Sequence, residues 1–242
     1  TEDQRYLLNL MNSNVNRLLL LINELMDFRK AENEHLKLHI ESIVMLNFIE
    51  QVLFCFKELA ISKEIDLSFK HNLIDAAEFW FDKAIIDKVL FNILSNAFKY
   101  TNAKGRIIVA MELKGDVIRI SVNDTGIGIP KSELKGIFDR YYQVEKDDRS
   151  DIGGTGIGLA FIKKLIEAHY GTINVESIVH VGSVFSVTFP ISKQYYLDKG
   201  IKISNHSTLE DIPYEHYHPQ EVKIKPDTGE TEQKNSKTQL LV

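Results

Sequence analysis

Near the start of the chain, Leu8, Met11, Val15, Leu18, Ile22 and Leu25 recur at alternating steps of three and four, a heptad seam. No Gly or Pro interrupts the run between Asp3 and Ala31, and Leu7, Leu19, Leu21, Met26 and Phe28 widen the seam beyond what a two-stranded coil buries. A face this broad suits a four-helix bundle whose other helices come from residues outside this sequence, from a second copy, or both. An amphipathic helix packed on the following domain is the other reading. The period then changes. Leu36, Leu38 and Ile40 alternate as a short strand, and residues 45–61 return to a helical apolar period. Ile65, Leu67 and Phe69 alternate again, and Phe79, Trp80 and Phe81 form a strand after a loop. Asp82 stands as the N-cap of a helix running to about Tyr100. Residues 105–113 and 117–123 read as a hairpin turning at Lys114, Gly115 and Asp116.

Residues 144–154 are polar, lack an apolar period and are expected to form a mobile loop. A helix opened by glycines follows over 157–169, then closing strands at 172–177 and 183–190 joined by a turn near Gly182. Helices mixed with alternating, half-exposed strands predict an α+β domain over 34–192, a mostly antiparallel sheet with helices on one face. It is preceded by the long helix of 1–33. Residues 193–237 are rich in Lys, Glu, Asp, His, Thr and Pro, which marks a linker, and the stretch from Gln239 to Val242 turns apolar again. We therefore divide the chain at 1–33, 34–192 and 193–242.

Composition removes several functions. The 242 residues carry a net charge of -5 and no basic stripe with interleaved aromatics, which excludes an electrostatic footprint for nucleic acid. Cys55 is the single cysteine, so no intrachain disulfide and no thiolate zinc cluster can form; between Phe54 and Phe56 it reads as a small buried hydrophobe. The longest early apolar run, Leu18 to Ile22, is far shorter than the ~20 residues of a membrane span. No initiator Met or signal peptide is present and the sequence begins inside the helical run, as expected of a piece of a longer protein.

The chemistry sits in three runs. Asn92 and Asn96 are i and i+4, so both amides project from one helical face. An amide oxygen is a neutral, hard ligand suited to Mg²⁺, which takes its remaining oxygens from phosphates and water. Lys99 adds a compact positive charge on the adjoining rim, and Tyr100 a ring to line a base or ribose. Asp124 ends a strand at a turn containing Gly126 and Gly128. An ionised carboxylate only accepts hydrogen bonds, so it takes one from the exocyclic amine of adenine and is repelled by the carbonyl of guanine. The two glycines let the backbone approach the base plane and adopt positive φ. Gly153, Gly154, Thr155, Gly156 and Gly158 then open a helix, where free N–H groups aim at an anion. Taken alone, the first run also describes a water-facing helix surface, and the second a plain Asx-type turn. Leu159 falls where a dinucleotide fingerprint needs its third glycine, and no Gly-Lys-Ser/Thr follows for a P-loop. His-Arg-Asp and Asp-Phe-Gly, the marks of Ser/Thr/Tyr kinases, are missing as well.

In this order and spacing the runs resemble the ATP-binding end of bacterial sensor histidine kinases, whose fold is shared with gyrase, Hsp90 and MutL. Residues 92–101 match that family's N box and 124–129 its G1 box; 137–142 match the F box and 153–159 the G2 box. The closing run from Gly171 to Phe185 also fits, so the resemblance covers about residues 5–191. It implies an α/β sandwich with a mixed, mostly antiparallel sheet, and ATP held between helices beneath a lid at about 142–154. It also implies Mg²⁺ on Asn96 with Asn92, with Asn92, Asn96 and Lys99 in the catalytic group. The nucleotide is expected against Tyr100, Asp124, Gly126, Gly128, Phe138, Arg140, Gly154, Thr155, Gly156, Gly158 and Leu159. Residues 16–30 resemble the second helix of the dimerisation and phosphotransfer hairpin. The first helix is not in the sequence, and none of the eight histidines has the His-Glu-x-x-Thr-Pro surroundings of the phosphoacceptor. His216 and His218, in the linker, read as solvated rather than as a metal site.

The partners implied are ATP, the phosphoacceptor histidine of the same or a partner protomer, a receiver domain or response regulator, and a second copy in a homodimer. The apolar C-terminus resembles a receiver's first strand, so the parent is expected to be a hybrid kinase. That parent is expected in the bacterial inner membrane, with this portion cytoplasmic. One departure concerns the lid: Gln143 stands where the family often has arginine, leaving Arg140 or Arg149 to reach the γ-phosphate. The leading expectation is a histidine phosphotransferase whose nucleophile lies outside the sequence, so that this chain binds ATP without phosphorylating itself. ATP-hydrolysing machines of the gyrase or Hsp90 kind place a glutamate where Asn92 stands, and an amide cannot take a proton from water. A non-catalytic nucleotide-binding scaffold is the third class.

Overall fold

The computed structural model describes residues 37–73, 78–143 and 156–203, and Met11, Val15 and Met26 singly. All belong to the unit Thr1–Ile212; the unit Pro213–Val242 lies outside the described residues. At Met11, Val15 and Met26 the backbone is helical and the side chains are exposed. The rest of the expected helix over 1–33 is outside the described residues.

Period-two alternation builds the centre of the domain. Strand β4 (Arg106–Lys114) buries Ile107, Val109 and Met111, and β5 (Val117–Asp124) buries Ile118, Ile120 and Val122. The turn between them is Gly115 and Asp116, closed by the pair of Lys114 and Val117, with Gly115 at φ 59°. Strand β7 (Gly182–Pro190) lies antiparallel to β5 and sets Phe185, Val187 and Phe189 opposite Val122, Ile120 and Ile118. With β2 (Asp66–His71) parallel to β4 at one edge and β6 (Thr172–Ile178) antiparallel to β7 at the other, the order is β2-β4-β5-β7-β6. The sheet is mixed and mostly antiparallel, as expected.

Its apolar face is covered by helices α1 (Met45–Cys55), α3 (Lys83–Tyr100) and α4 (Gly158–Ala168). From α3 come Ile86, Val89, Leu90, Ile93, Leu94 and Phe98, all 2% exposed or less. The other face carries Ser68, Arg119, Ser121, Asn123 and Thr188, where the Arg119 guanidinium donates to Ser186 Oγ at 2.9 Å.

Three expectations change. The first strand lies at Glu41–Val44 (β1), beyond the expected 36–40, because its register is set by antiparallel pairing with β3 (Glu78–Phe81) from Glu41↔Phe81 to Val44↔Glu78. Ile40 instead forms a single parallel bridge with Ile203 and is fully buried. The helix expected over 45–61 breaks at Phe56, and α2 (Lys57–Ser62) continues from it. The break turns the Phe56 ring into the core, 5.1 Å from the Phe91 ring and 5.3 Å from that of Phe98. Cys55, one residue earlier, is consequently only half-buried rather than a core residue. Finally, the run read as linker begins with helix α5 (Lys193–Asp198), whose Tyr196 is fully buried.

Tyr196 completes an aromatic box. The His169 ring lies 5.2 Å from Phe189, 5.4 Å from Tyr196 and 5.9 Å from Phe81. Burial drives the His169 pKa down to about 4, so the ring is neutral at pH 7. Nε2 accepts the Asp82 N–H at 2.9 Å; Nδ1 therefore carries the proton and meets Tyr196 Oη at 3.0 Å, which donates to Pro190 O at 2.8 Å. Removing the hydroxyl leaves two buried groups unsatisfied. Tyr196→Phe is expected to lose ~1–3 kcal/mol of unfolding free energy in urea at pH 7; an unchanged midpoint overturns this role.

Asp87, on α3, is 3% exposed and its Oδ1 has no hydrogen-bond partner. Burial pushes its carboxyl up to about 6, against the pull of Lys83 and Lys88. A raised folded pKa gives stability that is complete below the ordinary value of 3.8 and is lost as pH rises through about 6. His169 acts oppositely: its contribution is present above its ordinary 6.5 and is lost as pH falls through about 4. Asp87→Asn is therefore expected to exceed the parent chain by ~1–3 kcal/mol at pH 7.5, a margin that closes on acidification to about pH 4. Urea unfolding at several pH values reads both.

Candidate functional site

The site assembles around the C-terminal half of α3. Asp82 caps the helix, accepting Ile85 N–H on Oδ1 at 3.2 Å and His39 N–H on Oδ2 at 2.8 Å. At the other end Lys63, from the residue after α2, donates to Phe98 O at 2.8 Å, a cation on the last carbonyls where the helix dipole favours one. Asn92 and Asn96 stand between these anchors and Lys99 and Tyr100 just past the second, all four half-buried. The two amides meet: Asn96 Nδ2 donates to Asn92 Oδ1 at 3.3 Å, and no described residue donates to Asn96 Oδ1. Lys99 Nζ stands 5.1 Å from the Tyr100 ring centroid, a cation–π contact.

Asp124 ends β5 and is 5% exposed. Its Oδ1 accepts Gly126 N–H at 2.8 Å and Ser183 N–H at 3.3 Å, and no described residue bonds Oδ2. Burial raises this carboxyl above its ordinary range while the two N–H groups pull it back. Gly126 is held against the Tyr100 carbonyl, which accepts Ile127 N–H at 3.2 Å; a Cβ at 126 would lie 2.9 Å from Tyr100 C. That packing joins the N and G1 boxes.

The other boxes close on the same place. Gly158, the first residue of α4, lies against the Asn92 amide, and a Cβ there would run into Nδ2. Tyr141 N–H donates to Gly156 O at 2.9 Å, and Lys163 Nζ sits 5.7 Å from the Phe138 ring centroid, so the F box is fixed to the start of α4. Leu159 is half-buried in the first turn of α4, Gly128 holds φ 69° beside Ile178, and Arg140 is exposed. Gly153, Gly154, Thr155 and Arg149 lie outside the described residues, as does the expected lid from residue 144 onward.

Sequence reasoning missed Ser183 and Ser177. Ser183 is 6% exposed and reaches Asp124 through the register Asp124↔Ser183, while Ser177 Oγ accepts Ile129 N–H at 2.8 Å and donates to Gly182 O at 2.9 Å. Their only sequence signal is their place in the closing strands. Among the described residues no group of three His, Cys, Asp or Glu could hold a metal ion. A metal here would draw on amide oxygens and the ligand's own phosphates, and Asn96 Oδ1, which no described residue donates to, fits that demand.

Residues 81–193 match the family described as histidine kinase-, DNA gyrase B-, and HSP90-like ATPase. The chain carries the ATP-binding catalytic domain of that family, of the type found in sensor histidine kinases. It is 35% identical to the circadian input-output histidine kinase CikA of Synechococcus elongatus over 78% of this chain and 25% of that protein. To Histidine kinase P4 of Formosa agariphila it is 32% identical over 84% of this chain and 15% of that one. The solved structure of full-length ShkA in complex with AMPPNP superposes with a TM-score of 0.69 at 25% identity, covering 79% of this chain and 40% of that one. The chain thus spans a quarter or less of those two curated relatives. No described helix is long and apolar enough to cross a membrane.

Because Gly158 packs on Asn92 while opening a helix, Gly158→Ala separates site from scaffold. Alanine favours a helix over glycine by ~1 kcal/mol, so stability should hold or rise, while ATP affinity falls about tenfold as the amide is displaced. Calorimetry and urea unfolding on one preparation check the split; equal losses in both overturn it.

Proposed function

We propose that this domain holds Mg-ATP and presents the γ-phosphoryl group to a histidine outside the sequence. The observation that carries the reading is the amide pair: Asn96 gives its N–H to Asn92, and no described residue donates to its Oδ1. Asn96, with Asn92, would hold Mg²⁺, which would supply positive charge to offset that of the phosphates. Lys99 supports the phosphates, and Tyr100 lines the base or ribose. Asp124 Oδ2 accepts the adenine amine while Oδ1 stays bound to Gly126 and Ser183. Gly126 and Gly128 keep the loop close to the base, and Phe138, Arg140, Gly154, Thr155, Gly156, Gly158 and Leu159 complete the nucleotide contacts.

Transfer requires an imidazole nitrogen in line with the γ-phosphorus, so that the N–P bond forms as the bond to ADP breaks. Most of the work is positioning and charge neutralisation. Hydrolysis would need a carboxylate to accept a proton from water at position 92, and an amide does not serve. The parent is read as a homodimeric hybrid kinase anchored in the inner membrane with this domain on the cytoplasmic side. Its phosphoryl group passes from the histidine to an aspartate of a receiver domain or response regulator.

ATP with Mg²⁺ at ~100 times its dissociation constant should stabilise the chain by about 2.7 kcal/mol. Asp124→Asn should remove that shift for ATP, and an unchanged shift sinks the base assignment. With the upstream histidine-bearing helix restored, labelled ATP should yield acid-labile, histidine-linked phosphate. Release of free phosphate alone would favour the hydrolase.

A further inference from the structure

Away from the nucleotide site, α1, α2 and the first edge of the sheet enclose a groove of about 860 Å³ lined by Leu53, Phe54, Ile61, Leu67 and Phe69 among others. None of its lining residues belongs to the nucleotide site. Phe54 is 73% and Ile61 71% exposed, large apolar groups left in water beside an open strand. Among the described residues β2 is paired on one side only.

The direction of its backbone groups can be read from the paired side. Asp66 N–H donates to Gly105 O and Asn72 N–H to Met111 O, so the even-numbered residues of β2 spend their backbone groups on the β4 side. Alternation then turns the N–H and C=O of Leu67 and Phe69 to the open edge. Their side chains share a sheet face with the buried Ile107 and Val109, which is the groove side. Asp66, Ser68 and Lys70 share the opposite face.

We propose that this edge pairs with the same edge of a second copy of the chain, antiparallel about a two-fold axis at Ser68. In that register Leu67 faces Phe69 of the second copy and the reverse, using the outward backbone groups in two hydrogen-bonded pairs. Ser68 faces itself, and Asp66 faces Lys70 twice. The central pairs are favourable: two apolar pairs of Leu67 with Phe69 on the groove face, and two opposite-charge pairs of Asp66 with Lys70 on the other. An exposed edge lysine normally guards a sheet against foreign strands. Here the guard is neutralised only by a strand that brings a carboxylate two residues before the centre and a lysine two residues after it. This strand does so itself. The isologous arrangement closes on two copies and brings Phe54 and Ile61 of both against the joint. A short strand with four charge-bearing partners makes a weak association, distinct from the dimerisation expected of the N-terminal helix.

The test uses the full 242-residue chain. In sedimentation equilibrium at low salt, Asp66→Lys and Lys70→Asp should each weaken self-association about fivefold, because each sets like charges opposite one another twice. The double exchange Asp66→Lys with Lys70→Asp should restore it, which a loss of folding could not do. Ser68→Cys in a Cys55→Ala background should form an intermolecular disulfide on mild oxidation, since a non-hydrogen-bonded cross-strand pair brings the Cα atoms to about 4.5 Å. Identical sedimentation of all the charge variants overturns the proposal. So does a Ser68→Cys variant that cross-links no faster than Leu113→Cys, an exposed position on the neighbouring strand, in the same background.

Discussion

Helix α3 begins inside the protein, and a buried helix N-terminus must find acceptors for its N–H groups. Asp82 supplies them and does more. One oxygen takes Ile85, the other takes His39 from the segment preceding β1, and its own N–H goes to the neutral His169 at the end of α4. His169 in turn holds Tyr196 of α5 and through it the end of β7. A single capping residue thus joins the start of the domain, its central helix, the glycine-opened helix and the last helix. At the opposite end Lys63 holds the Phe98 carbonyl. Asn92 and Asn96 ride between two fixed points, and the separation of their amides follows from that.

Asp124, the proposed base end of the site, is held by more than one contact in the same way. Asp124 has one oxygen committed to two backbone N–H groups drawn from distant stretches of the sequence, those of Gly126 and Ser183. Burial alone would favour the neutral acid, and the two N–H groups hold it toward the charged form. The second oxygen, which no described residue bonds, is thereby left as an acceptor, and the proposed recognition of an amine over a carbonyl would use it.

How much of this the residues disclose in advance depends on the range of the interactions. Local pattern sufficed for α3, its Asp82 cap, the β4–β5 hairpin and the closing strands, because each rests on spacing within one element. It also singled out Asn92, Asn96, Asp124, Gly126 and Gly158, because their chemistry is legible from side-chain type. It failed where tertiary pairing decides. β1 moved by several residues because β3 sets its register, and α1 broke because Phe56 is worth more in the core than in a continuous helix. α5 escaped notice because one buried Tyr196 in a charged run leaves no period. Ser183 was missed for a related reason: its contribution is a backbone N–H, and no side chain announces that.

The division of labour within the site follows from these two kinds of support. In the proposed reading, recognition at the base end rests on buried backbone donors around the Asp124 carboxylate, so its geometry belongs to the sheet. The proposed phosphate end would use side chains instead, two neutral amides and one lysine on helix α3. Neutral ligands leave a bound divalent cation most of its charge for the phosphates, where a carboxylate would cancel part of it. The same choice removes the nearest group able to deprotonate water at position 92. A site built this way favours a nucleophile that needs no proton taken from it at the moment of attack, and a neutral imidazole nitrogen is such a nucleophile.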